Sequence, residues 1–164
     1  VNGVETVSTN ANSFTVRAPG GVRFITTTAT NNLNIGNAAI NGVALASGSG
    51  TWTSLSDRNA KSNFEQVNAT AILAKVAAMP VLTWNYKAQG ESIRHIGPTA
   101  QDFKAAFGVG ETDTGITTVD ADGVALAAIQ GLVEELKARD KAIEDLKTKL
   151  ESVEQRLNSL PPAP

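Results

Sequence analysis

Ser56 and Lys61 are the residues of this chain best suited to do chemistry. A serine hydroxyl is a weak nucleophile until a base takes its proton, and a lysine amine can be that base once desolvation or a neighbouring cation has made it neutral. The two stand five residues apart in Leu55-Ser56-Asp57-Arg58-Asn59-Ala60-Lys61. On one continuous helix that spacing turns the side chains about 140° away from each other. A Ser/Lys dyad therefore needs a turn between its members, or a lysine delivered by a neighbouring chain. The same residues fit a plainer role, because Ser followed by Asp ahead of a helical turn is a common N-cap.

Other polar residues invite weaker readings. His95, the sole histidine, lies between Arg94 and Ile96-Gly97-Pro98, where it could orient or polarise a site or serve as a structural hydrogen-bonding group. A Ser/His/Asp triad would have to run through Asp57 or Asp102, and the spacing favours neither. Gln101 and Asp102 fit the polar face of a helix. Asp120, Asp122 and Gly123 lack the later ligands of a calcium loop and fit the capped start of a helix. Asn68-Ala69-Thr70 is a formal glycosylation sequon without a secretory signal, and Gly108-Val109-Gly110 lacks the third glycine of a dinucleotide loop. No cysteine is present, so disulfides and thiolate metal sites are excluded, and nothing in the chain calls for a metal or a cofactor.

The elements that must position Ser56 and Lys61 differ in character along the chain. Net charge is −2 over 164 residues and 41% are hydrophobic, which excludes a disordered polyelectrolyte and a strongly basic nucleic-acid binder. No stretch of 18 apolar residues and no basic leader followed by an apolar run is present, so neither a membrane partner nor a signal peptide is expected. Met79 is the only methionine, from which the chain reads as a piece of something longer. The charges are uneven: 3 in residues 1–50, 12 in residues 51–119 and 15 in residues 120–164.

Residues 1–55 are rich in Thr, Asn, Gly and Ser, with short β-favouring runs at Ser13 to Arg17 and Val22 to Thr27, then Leu33, Ile35, Ile40, Val43 and Leu45 between turn residues. Their large apolar residues are too few for a core of their own. The expectation is the end of a β-rich stalk that completes its core with copies of itself; a flexible linker would waste Phe14 and Phe24. Residues 56–119 read as a small α+β domain, with a helix from Ala69 to Met79 stopped by Pro80, a strand over Val81 to Tyr86, a helix from Thr99 to Phe107 stopped by Gly108, and a brief strand over Thr114 to Val119.

Residues 120–160 read as one long helix ended by the 161–164 tail, Pro161-Pro162-Ala163-Pro164. Ile129, Leu136, Ile143, Leu150 and Leu157 recur every seven residues, with Leu132, Leu146, Val153 and Leu160 between them and Arg139 as the one break. These are the a and d positions of a coiled coil. The mixture of Ile and Leu at a permits a trimer without dictating one. In a parallel arrangement Lys149 and Glu154 would pair across chains, while Glu135 and Asp140 would repel.

Ser56 to Lys61, Trp84-Asn85-Tyr86, His95-Ile96-Gly97-Pro98-Thr99-Ala100-Gln101-Asp102, and Asp120-Ala121-Asp122-Gly123 running into Ala127 to Leu132 occur in this order. Together they resemble the intramolecular chaperone domain of phage endosialidases and tail spikes, also classed as the S74 self-cleaving peptidases. That family further includes bacterial tail-fibre-like proteins and a membrane-tethered animal transcription factor. The resemblance covers about residues 54 to 150. It implies a homotrimeric C-terminal domain that assembles the β-rich shaft preceding it and then cuts itself off. Carried onto this chain, Ser56 is the nucleophile, Lys61 the general base and Leu55–Ser56 the scissile bond, with Asp57, His95, Gln101 and Asp102 in supporting positions. The partners implied are two further copies of the chain and its own upstream fibre segment, in a virion or a bacterial fibre. Two rivals share the same motifs: a folding cap that trimerises without cleaving, and an attached receptor-binding tip using Trp84, Tyr86 and the loop from Gly108 to Thr114.

Overall fold

The computed structural model describes residues 16–26, 42–54 and 56–160, and the chain divides into two compact units, Val1–Glu65 and Gln66–Pro164. In the first, β1 (Val22–Ile25), β2 (Gly42–Leu45) and β3 (Trp52–Ser54) form an antiparallel sheet in that order. Val22 pairs with Leu45 and Leu45 with Trp52. Turns lead into β1 and out of β2, where the Gly21 amide donates to the Ala18 carbonyl at 2.8 Å and the Ser49 amide to the Ala46 carbonyl at 3.0 Å. Phe24 and Trp52 meet with ring centroids 5.5 Å apart, yet both remain more than half exposed. The expected run at Ser13 to Thr15 and the apolar residues Leu33, Ile35 and Ile40 lie outside the described residues, as do Leu55 and the 161–164 tail.

The second unit is built on three helices and a two-stranded ribbon. Helix α1 (Ala69–Ala78) starts where the Asn68 side chain accepts from the Ala71 amide, 3.0 Å, so the sequon asparagine is a helix cap. The helix ends ahead of Pro80, which disfavours helical geometry in the residue before it. Strand β4 (Leu82–Trp84) pairs antiparallel with β5 (His95–Gly97), Trp84 opposite His95. Helix α2 (Ala100–Phe107) is capped by Thr99 and closes on Gly108, whose φ of 69° is the left-handed conformation glycine adopts without steric cost.

One expectation is overturned. Thr114 to Val119 is not a strand: the Thr117 hydroxyl accepts from the Asp120 amide at 3.1 Å and donates to the Asp120 carboxylate at 2.7 Å, so helix α3 (Thr118–Asn158) already begins there. A Thr with an acidic residue three positions on is a reciprocal cap, and it outweighs the β propensity of a short Thr/Val run. The 41 residues of α3 span about 60 Å at 1.5 Å per residue.

Packing concentrates at the start of α3, where α1 lies against it. Ala69 and Ala128 are buried there, Gly131 sits beneath the first turn of α1, and Phe103 is buried on α2 against Phe107, centroids 4.9 Å apart. From Leu132 to Leu160 every residue is exposed. The heptad seam therefore stands open along its length, with Ile129 58% exposed, Leu146 63% and Leu157 66%.

Candidate active site

Ser56 stands two residues after the last residue of β3, Ser54, within the first unit, and Lys61 follows a single 3-10 turn, Arg58–Ala60. That turn forms because the Asp57 carboxylate accepts from the Asn59 amide at 2.9 Å and from its side-chain Nδ2 at 3.1 Å, while the Ala60 amide returns to the Asp57 carbonyl at 3.1 Å. Asp57, and not Ser56, is thus the cap. The Ser56 hydroxyl is left free of that duty and accepts a hydrogen bond from Lys61 Nζ at 2.8 Å. Of the two ways for residues five apart to meet, the structure realises the turn within one chain.

The backbone beyond Lys61 is also shaped. Lys61 is extended, at φ −120° and ψ 155°, and Asn63 has φ 54°, the only non-glycine positive φ among the described residues. Asparagine is one of the few side chains that visit this left-handed region readily. Phe64 then lies under the Arg58 guanidinium, 4.7 Å from carbon to ring centroid. The sequence reading held Arg58 only as part of the Ser56 to Lys61 motif and gave no role to Asn63 or Phe64. Ser56 and Lys61 are both exposed in the single chain. The geometry therefore supplies contact between the two side chains without the desolvation that a lysine base requires.

The remaining candidates belong to the second unit and have local partners there. His95 is half-buried, with its Nε2 2.9 Å from Gln89 Oε1 and its ring 4.8 Å from Trp84 and 5.3 Å from Tyr86. Trp84 and Tyr86 meet edge to face at 4.9 Å. Arg94, which precedes it in sequence, donates to Thr83 Oγ1 at 2.9 Å and Asn85 Oδ1 at 3.2 Å, which ties the entry of β5 to β4. Asp102 accepts from the Thr99 hydroxyl at 2.6 Å, the second reciprocal cap of this unit, and Gln101 is exposed on the first turn of α2. Asp120 is likewise occupied by the cap of α3.

No curated protein and no solved structure gives a significant match to the chain. A family model does: Peptidase_S74, described as chaperone of endosialidase, matches residues 56–109. The match opens on Ser56, contains the turn to Lys61, and ends just past the cap of α2. The segment from Ser56 to Val109 is thus similar to the chaperone-of-endosialidase family, which supports reading it as a chaperone domain of that kind.

Proposed function

We propose that the chain is a C-terminal intramolecular chaperone that trimerises along α3, assembles the β-rich fibre segment preceding Ser56, and releases itself by cutting Leu55–Ser56. The chaperone role rests on the family match, and the family is associated with phage tail fibres. The cleavage role is carried by one observation, the 2.8 Å contact of Lys61 Nζ with Ser56 Oγ at the first residue of the matched segment. On this reading residues 1–55 stay with the fibre, residues 56–119 and the 120–160 helix form the part released, and the partners are two further copies of the chain. The open seam from Ile129 to Leu157 supports association, since a stripe of large apolar side chains in water gains about 25 cal/mol for each Å² it buries.

The chemistry follows from the pair. Ser56 Oγ attacks the Leu55 carbonyl, or the same bond of a neighbour, while its proton passes to the neutral Lys61 amine. The C–N bond then breaks, Lys61 returns the proton to the departing α-amine, and the Leu55 acyl group is held as an ester on Ser56. Water hydrolyses that ester to the Leu55 carboxylate and restores the serine hydroxyl. Intact mass spectrometry of the wild-type chain beside Ser56→Ala and Lys61→Ala tests the proposal. Two fragments meeting at Ser56 in the wild type, and one full-length mass in both variants, are expected. A wild-type chain that stays whole after native assembly removes the cleavage role and leaves a non-cleaving cap or an attached receptor-binding tip.

A further inference from the structure

We infer that Arg58, Asn63 and Phe64 are positioning residues for Lys61, closing the chain into a loop that holds its amine on Ser56; this rests on the cleavage reading above. A lone hydrogen bond between two exposed side chains is a weak tether, because a four-carbon lysine stem has many rotamers to lose. The backbone must do the holding. At the near end the Asp57 carboxylate fixes the 3-10 turn through the Asn59 amide. At the far end the Arg58 guanidinium rests 4.7 Å above the Phe64 ring. Six residues of extended chain would carry Phe64 about 20 Å away, so the stack can form only if the chain reverses between them. The 3-10 turn over Arg58–Ala60 bends the chain, and Asn63, at φ 54°, sets the direction from which Phe64 meets Arg58. Lys61 lies inside the loop so closed, three residues from each end, so a backbone swing away from Ser56 is opposed by the stack and by the left-handed Asn63.

Each part has its own conservative replacement. Glycine adopts a φ of 54° more readily than asparagine, whereas valine resists it. Tyrosine keeps a ring for the guanidinium, whereas alanine removes it. The experiment follows self-cleavage of the full-length chain over time by denaturing mass spectrometry, with sedimentation and melting recorded for each variant. Asn63→Gly and Phe64→Tyr should cleave at the wild-type rate. Asn63→Val and Phe64→Ala should cleave about 10- to 100-fold more slowly, the cost of ångström-scale misplacement of a catalytic group, with assembly and melting unchanged. Wild-type rates in Asn63→Val and Phe64→Ala overturn the inference and leave the cleavage reading standing. So does a loss shared equally by the conservative and disruptive members of each pair. A wild-type chain that never cleaves removes the cleavage reading, and the inference with it.

Discussion

Gly131 of α3 lies so close under the first turn of α1 that a Cβ there would stand 2.7 Å from the carbonyl carbon of Ala69 and 3.1 Å from the Leu73 Cβ. Real Cβ atoms do not approach a backbone carbonyl so closely, so α1 reaches α3 only because this position carries no side chain. Gly131→Ala is expected to lower stability by about 1 to 3 kcal/mol, the usual cost of forcing atoms into a packed contact. Gly123, eight residues earlier on the same helix, meets nothing within 4 Å of its own Cβ position. Gly123→Ala should therefore raise stability by roughly 0.5 to 1 kcal/mol through helix propensity alone. Chemical denaturation of the two variants should show midpoints moving in opposite directions.

The second expectation concerns the open seam. Leu146 and Leu150 are 63% and 59% exposed in the single chain and follow one another at d and a. Changing both to Asp places charge in any interface that buries them, and sedimentation at micromolar concentration should then show monomer. Because Lys61 already touches Ser56 within one chain, such a monomer would keep the contact, and on the proposed reading it would lose the desolvation that two further copies supply. Self-cleavage in the double variant should be at least about tenfold slower, a differential of about 1.4 kcal/mol per decade. Cleavage by the monomer at the wild-type rate would show that assembly does not control the site.

The two reciprocal caps make a third prediction. Thr117 and Thr99 each accept an amide three residues on and donate to an aspartate there. Thr117→Ala and Thr99→Ala should each cost about 1 kcal/mol, read from denaturant midpoints. Thr117→Ser, which keeps the hydroxyl, should cost less than half of that.

The ribbon yields a fourth. His95 packs between Trp84 and Tyr86 and touches Gln89 with its outer nitrogen. His95→Ala removes a ring from an aromatic trio and should lower stability by about 1 to 2 kcal/mol. Gln89→Ala, which removes a single exposed hydrogen-bond partner, should stay within about 0.5 kcal/mol. A His95→Ala variant as stable as the wild type would mean that the trio does not hold the ribbon.

Much of this architecture was legible from residue types alone. Helices α1 and α2 were visible because their apolar spacing and their stops, Pro80 and Gly108, are local, while the caps Asn68 and Thr99 emerged only with the structure. The start of α3 was misjudged because Thr114 to Val119 carries β-favouring side chains, and the reciprocal Thr117–Asp120 cap that overrides them is a two-residue signal. Strand β5 escaped notice, since three residues with a glycine among them have no periodicity, and they pair with β4 residues at least eleven positions away.

The site divides along the same line. Residue types and order alone offered Ser56 and Lys61 as a dyad or a helix cap, required a turn or a second chain to join them, and laid a heptad stripe from Ile129 to Leu157. Those are properties of composition and spacing, which survive without any fold; the catalytic roles came from the family resemblance. Only the tertiary structure decided that the turn within one chain makes the contact, that Asp57 takes the cap and frees the Ser56 hydroxyl, and that His95, Asp102 and Asp120 are engaged in packing and capping. The physical reason is that a hydroxyl or a carboxylate has several partners open to it in sequence, and the choice among them is set by backbone dihedrals and neighbours that no one-dimensional pattern records.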